Sequence, residues 1–226
     1  MNILAIDTAT EYLSIALVVG STRQHYIEKV GNQQAKNIIP RIQELLHLAD
    51  ITVADLNLIA YNQGPGSFTG LRIGLGVAIG IAIGQNINLM PIPAFATFAT
   101  ASKAQLNNAG NVLVGLDARM HEIYLAGINP DTLDYVLDPC VISPAAIENI
   151  HNLPLIGDGF KNYFDDLKPY IQNSKQILDM PYPSALNLLD IVAMNKCTAI
   201  APEQAELLYL RNKVALTTQE RAQQHL

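Results

Sequence analysis

Two spacings of apolar residues divide this chain. Asn2–Ile6 is a nearly unbroken apolar run that stops at Asp7, Leu13–Val19 is a second that Gly20-Ser21 ends, and Arg23–Val30 alternates. Three such segments in succession predict an antiparallel meander, with a turn over Asp7–Glu11. From Asn37 to Leu48 the spacing changes. Ile38, Ile42 and Leu45 recur on one helical face, joined by Ile39 and Leu46, which predicts an amphipathic helix. Pro40 suits the first turn of that helix if Asn37 is its cap, and kinks it otherwise. Leu56–Tyr61 reads as a buried strand and Gly64-Pro65-Gly66 as a tight turn. Ser67 or Thr69 then caps a helix over Gly70–Gly84. Pro91 and Pro93 break the pattern, and Phe95–Lys103 predicts another helix.

A second strand set follows: Val112–Leu116, a turn at Asp117–His121 and a return strand over Glu122–Ile128. It matches the first. Ile3-Leu4-Ala5-Ile6-Asp7 aligns with Leu113-Val114-Gly115-Leu116-Asp117, and Leu13-Ser14-Ile15-Ala16 with Ile123-Tyr124-Leu125-Ala126, at one offset. This reads as an internal duplication, although apolar strands ended by aspartate also arise independently. After Pro130 the chain is loop-rich. Leu155-Ile156 runs as a short strand into Gly157-Asp158-Gly159, Pro183–Met194 predicts a helix capped by Ser184, and Glu203–Val214 mixes helical and extended signals. The expectation is an α/β protein of two lobes, residues 1–104 and 105–226, with the tail packing back on the first.

The helix after the glycine turn carries Gly70, Gly74, Gly76, Gly80 and Gly84. Each costs up to about 1 kcal/mol against alanine, roughly 4–5 kcal/mol in all. Gly70, Gly74 and Ala78 form one ridge four residues apart, and Gly76, Gly80 and Gly84 another. Such ridges admit close approach by another backbone, either inside the fold or from a partner subunit.

Half of the 226 residues are hydrophobic and 15% are charged, so the chain can bury a substantial core. A net charge of −6 argues against a broad nucleic-acid footprint but leaves room for a small basic patch. Cys140 and Cys197 fit no disulfide framework or metal spacing, which points to a reducing cytoplasm. No signal-peptide pattern opens the chain, and the most apolar stretch, Ile73–Ile83, is too short to span a bilayer. Asp7 and Asp117, each closing a strand before a turn, have the placement to hold Mg²⁺ through water across a cleft, with Thr8 beside the first. A turn-forming strand end explains each equally well, and neither turn has the glycine that close phosphate approach favours. Gly64-Pro65-Gly66 misses the dinucleotide fingerprint at Thr69 and has no P-loop lysine. The histidines His25, His47, His121, His151 and His225 include no pair four residues apart, so no helical metal pair exists. Tyr209-Leu210-Arg211-Asn212-Lys213 is the one compact basic-aromatic cluster, fitting a surface strand end or a contact with phosphate or RNA.

Ile3–Thr10, the block Gly64–Gly74, Leu116–Met120 with Glu122–Tyr124, and Pro202–Glu206 with Tyr209–Asn212 together resemble the bacterial TsaB (YeaZ) family, in order and from end to end. The resemblance implies a two-lobed, ribonuclease H-like fold of the actin and Hsp70 type. It implies a non-catalytic paralogue of TsaD, which with the ATPase TsaE makes threonylcarbamoyladenosine beside the tRNA anticodon from threonylcarbamoyl-AMP. Members often carry the label glycoprotease. The family dimerises with TsaD through its first two long helices, which places the interface here on Ile38, Ile42, Leu45, Gly70, Leu71, Gly74, Leu75 and Ala78. An exposed apolar helical face favours a homodimer by the same surface when the chain is alone; tRNA contact is expected only through the complex, with no metal and no cofactor, unless a nucleotide sits at the heterodimer interface. Family members often have His-Ser near the start of the first long helix, where this chain has Ala35-Lys36. TsaD-type proteins hold metal with a helical histidine pair, and Pro93–Thr100 has no histidine. Asp7, Thr8 and Asp117 are in that light a vestigial phosphate-binding set; the competing readings are an ATP-dependent phosphotransferase or ATPase using Asp7 and Asp117, and a metalloprotease, which fails on ligand count.

Overall fold

The computed structural model describes residues 1–106, 110–147, 153–171, 177–178 and 182–211. Five strands, β1 (Asn2–Asp7), β2 (Tyr12–Val19), β3 (Thr22–Lys29), β4 (Leu58–Gly64) and β5 (Asn88–Pro93), form one sheet in the order β3-β2-β1-β4-β5. Four more, β6 (Val112–Arg119), β7 (Glu122–Ile128), β8 (Tyr135–Ile142) and β9 (Leu155–Ile156), form a second in the order β8-β7-β6-β9. In each sheet the leading strand has an antiparallel hairpin on one side and a parallel strand on the other. The two sheets thus repeat one topology, the two-lobed, ribonuclease H-like arrangement of the actin and Hsp70 type.

Strand periodicity decides which helices cover which face. On β1, Leu4 and Ile6 turn to one side and Ile3 and Ala5 to the other. Leu4 and Ile6 pack with Ile38, Ile42, Leu45 and Leu46 of α1 (Gln34–Leu48) and with Ala78 and Ala82 of α2 (Phe68–Gln85). Ile3 and Ala5 meet α3 (Ala94–Ser102) and α6 (Ala185–Ala193), which lie between the sheets, with Val112, Val114 and Leu116 of β6 in the same core. The far face of the second sheet buries Leu113, Ile123 and Leu125 under α4 (Asp158–Asn162) and α5 (Phe164–Ile171), through Phe160 and Leu167. Helix α6 also reaches lobe one directly: the Ala185 N–H donates to Ser14 Oγ at 2.8 Å and Arg23 pairs with Asp190 at 2.6 Å.

Several elements differ from expectation. Helix α1 follows a 3-10 turn over Gly31–Gln33 and begins at Gln34, so Pro40 lies inside it rather than in its first turn. Asn37 does not cap; its Nδ2 donates to the Gln33 carbonyl at 2.9 Å. Ser67 caps α2, its Oγ accepting from the Gly70 N–H at 3.2 Å. Strands β5 and β8 were unexpected because Pro91, Pro93 and Pro139 interrupt them. Both are sheet edges, where a missing N–H is tolerated. Helix α2 is 18 residues of continuous, apolar helix, which by length and composition alone is enough to cross a membrane. The apolar run Ile73–Ile83 is its middle part. One side of this helix is committed to the protein interior, through Gly70, Leu71, Gly74, Ala78 and Ala82.

Candidate functional site

Asp7 ends β1 in the core, 4% exposed. One carboxylate oxygen accepts from the Ala9 N–H and the other from Asn62 Nδ2, each at 3.0 Å. Burial pushes the Asp7 carboxyl above its usual range, against the pull of those two donors. Thr8, 2% exposed, points its hydroxyl into α2 against Gly74 and its carbonyl toward Gly70. Gln34 Nε2 spans this turn, donating to the Thr10 carbonyl at 2.7 Å and to those of Thr8 and Tyr12 at 3.4 Å. Thr8 therefore turns its hydroxyl and its carbonyl to α2 and not to a phosphate, which corrects the role of its side chain.

Asp117 does not end its strand as expected: it lies two residues before the end of β6, where the pairing register shifts, and it is equally engaged. It accepts from the Arg119 N–H at 2.8 Å, Arg119 Nη1 at 3.1 Å, Asn162 Nδ2 at 3.1 Å and the Tyr163 hydroxyl at 3.0 Å. Its own N–H donates to Asp158 Oδ1 at 3.0 Å. Burial lifts the Asp158 carboxyl. Between the lobes, Phe98, Gly157, Asp158, Lys161, Leu178 and Tyr182 line a cavity of about 80 Å³. Neither Asp7 nor Asp117 lines it, and ligand pockets for drug-sized molecules run from about 300 Å³. The residues of this cleft, as arranged, do not fit a nucleotide. Among the described residues no three His, Cys, Asp or Glu side chains gather to hold a metal ion. His151 and His225 lie outside the described residues, as do Asn212 and Lys213.

The surface assigned to α1 and α2 needs redrawing. Ile38, Ile42, Leu45, Leu71 and Ala78 are at most 5% exposed and belong to the protein's own core. Gly70 and Gly74 are buried against Thr8, and Leu75 is half-buried. A residue on the core face of a helix cannot meet a partner, so seven of the eight residues proposed there are corrected. The hydrophobic spacing that revealed the helices marks the face turned inward. The outward ridge is Gly76, Gly80 and Gly84, where an added Cβ would meet nothing within 4 Å. Ile83 at 59% and Ile39 of α1 at 52% stand exposed on the same helix pair.

A family model described as TsaD, tRNA N6-adenosine threonylcarbamoyltransferase, matches residues 26–226. The Escherichia coli tRNA threonylcarbamoyladenosine biosynthesis protein TsaB is 32% identical over 95% of this chain and 96% of its own. The chain belongs to the TsaB family. The Haemophilus influenzae TsaB is 30% identical over 95% of each chain. YeaZ from Pseudomonas aeruginosa superimposes with a TM-score of 0.79 at 26% identity, covering 92% of this chain and 99% of that one.

In this TsaB-family chain the segment after the 3-10 turn Pro202–Gln204 is a strap that crosses the first lobe. The Tyr61 hydroxyl donates to the Glu206 carbonyl at 2.9 Å, and the Leu208 N–H to the Gln63 carbonyl at 2.9 Å. Burial pushes the Tyr61 pKa up to about 12. Arg211 then reaches lobe two, donating to the Ala118 carbonyl at 3.1 Å and the Arg119 carbonyl at 3.3 Å and pairing with Glu122. It braces a turn in which Arg119, Met120 and His121 all have positive φ, a conformation that costs non-glycine residues energy. Leu207, Leu208 and Leu210 pack inward. The apolar and aromatic letters of Leu207–Leu210 were the available signal; its partners, some ninety to 145 positions away, left none.

Proposed function

We propose that this protein serves in the biosynthesis of threonylcarbamoyladenosine in tRNA, as an accessory subunit and not as the transferase. The observation that carries the reading is the match, along about 95% of both chains, with proteins named for that biosynthesis. The accessory role is supported by the engaged aspartates: every carboxylate oxygen of Asp7 and Asp117 already accepts a hydrogen bond from the protein. The same engagement weighs against an ATP-dependent phosphotransferase.

The partner in this reading is a TsaD paralogue, with the ATPase TsaE as a third component, in the cytoplasm. It docks on the outward side of α1 and α2, where Gly76, Gly80 and Gly84 leave room for a helix backbone at close range. In its absence a second copy takes the same face. Any nucleotide binds at the boundary with the partner, because this chain's own cleft is too small, and tRNA is engaged by the assembled complex.

Size-exclusion chromatography with light scattering, on the protein alone and mixed with TsaD of the same organism, tests this. A stoichiometric complex is expected for the wild type. Gly80→Leu should abolish it with the thermal melt of the isolated chain unchanged or raised. No complex, with or without ATP and TsaE, overturns the accessory reading.

A further inference from the structure

Where the strap crosses the start of α2, two aromatic rings stand in solvent side by side. Phe68 is 58% and Tyr209 55% exposed, with ring centroids 6.4 Å apart and planes tilted by 52°. The Arg72 guanidinium lies over the Phe68 ring at 3.7 Å, and Arg72 Nε donates to the Tyr209 hydroxyl at 3.2 Å. The three side chains hold one another without burying one another. Among the described residues Arg72 forms no ion pair with a carboxylate. Next to them, Arg211 contacts Met120, which is 75% exposed, and Arg119 has an 84% exposed side chain. Asp117 and Glu122 offset Arg119 and Arg211, so Arg72 supplies the unbalanced charge.

Exposed aromatic rings held rigid by an arginine are an unusual expense on a soluble surface, where large aromatics ordinarily go under cover. The arrangement matches what unpaired bases require: a flat apolar face for stacking and a guanidinium for the adjoining phosphate. One face of Phe68 is taken by Arg72. The gap to Tyr209 is too narrow to sandwich a base, so a base stacks on the open face of either ring. Resting on the proposed role in tRNA modification, we infer that Phe68, Tyr209 and Arg72 form a stacking platform for one or two unpaired RNA nucleotides, touched directly by this chain within the complex. With a single uncompensated arginine, stacking dominates the contact and the salt dependence is small.

The test is fluorescence anisotropy of a labelled stem-loop RNA with a seven-nucleotide loop, titrated with the assembled complex of this protein and its TsaD partner. Phe68→Ala and Tyr209→Ala should each weaken binding at least about fivefold, the lower end of what one stacked base is worth. Phe68→Tyr should restore it. Arg72→Ala should reduce the slope of log affinity against log salt by about 1. Light scattering on the same samples reports whether the complex is intact. Unchanged RNA affinity in an intact complex overturns the platform and leaves the biosynthetic role standing. Loss of the complex in Phe68→Ala or Tyr209→Ala overturns it in favour of a protein contact. A wild-type complex that forms but binds no stem-loop also overturns it, whereas failure to form any complex is the failure of the accessory reading itself.

Discussion

Replacing the two kinds of helical glycine in α2 by alanine should move stability in opposite directions. At Gly80 an added Cβ meets nothing within 4 Å. Alanine there gains the helix propensity that glycine lacks, about 0.8–1 kcal/mol, partly through a less flexible unfolded chain. At Gly70 the same methyl would meet the Thr8 carbonyl oxygen well inside van der Waals contact and Gln34 Oε1 at 2.6 Å. Backbone cannot swing away, and Gln34 is tied to three carbonyls of the Thr8–Tyr12 turn. Overpacking of this sort costs about 1–3 kcal/mol, enough to exceed the propensity gain. For a chain of 226 residues, 1 kcal/mol corresponds to roughly 2–4 °C in Tm. Gly80→Ala should therefore melt about 2–4 °C above the wild type, and Gly70→Ala below it. Differential scanning calorimetry, at a concentration where light scattering gives the monomer mass, reads both shifts. Equal signs would refute the division of the helix into an inward and an outward ridge.

Arg211→Ala should lower stability by about 1–3 kcal/mol, since it leaves Glu122 and two carbonyls without their donor; hydrogen exchange at Arg119–His121 should rise with it. Tyr61→Phe should cost about 1 kcal/mol in urea unfolding by freeing the strap at Glu206, and limited proteolysis should then cut within Ala205–Arg211. Asp7 carries a pH dependence. Its carboxyl is raised above 3.8 by burial, so the protonated form favours the fold. Its contribution is fully present below the unfolded value and is lost as pH rises through the higher folded value. The wild type should gain on Asp7→Asn as pH falls from about 7 toward 4 in urea titrations, and a constant gap would contradict this.

The two leading hairpins and helices α1, α2, α3 and α6 were legible because period 2 and period 3.6 were clean there, and the duplicated strand-plus-aspartate block foretold a repeated topology; α4 and α5 fell in a stretch read as loop-rich. Strands β5 and β8 were not, because proline masks an edge strand from any reading by propensity. The start of α1 was misjudged for a similar reason: Pro40 invited a cap near it, yet the helix begins at Gln34, whose side chain serves the distant Thr8–Tyr12 turn. At the site, the hydrophobic letters of α1 and α2 marked the buried face of each helix. A hydrophobic stripe records what the protein buries within itself, so Ile38, Ile42 and Leu45 marked the core. The outward ridge of Gly76, Gly80 and Gly84 is visible only once the neighbours of each Cβ are known. Asp7 and Asp117 were found as a matched pair, while their engagement by Asn62, Asn162 and Tyr163 depended on residues far along the chain.

Helix α6 covers the inner face of the first sheet, although it is encoded more than 160 positions after that sheet's first hairpin begins; the Ser14–Ala185 contact alone spans 171 positions. At about 5–20 residues per second, a ribosome needs on the order of 10–40 s to get from β1 to the end of α6. Once β4 has been made, Ile3, Ala5, Ala16, Leu58 and Ala60 form an apolar sheet face that waits for α6 through the rest of that interval. The first lobe is thus the first synthesised and among the last completed, and the nascent chain is the form in which this protein is most exposed to aggregation and most in need of a chaperone.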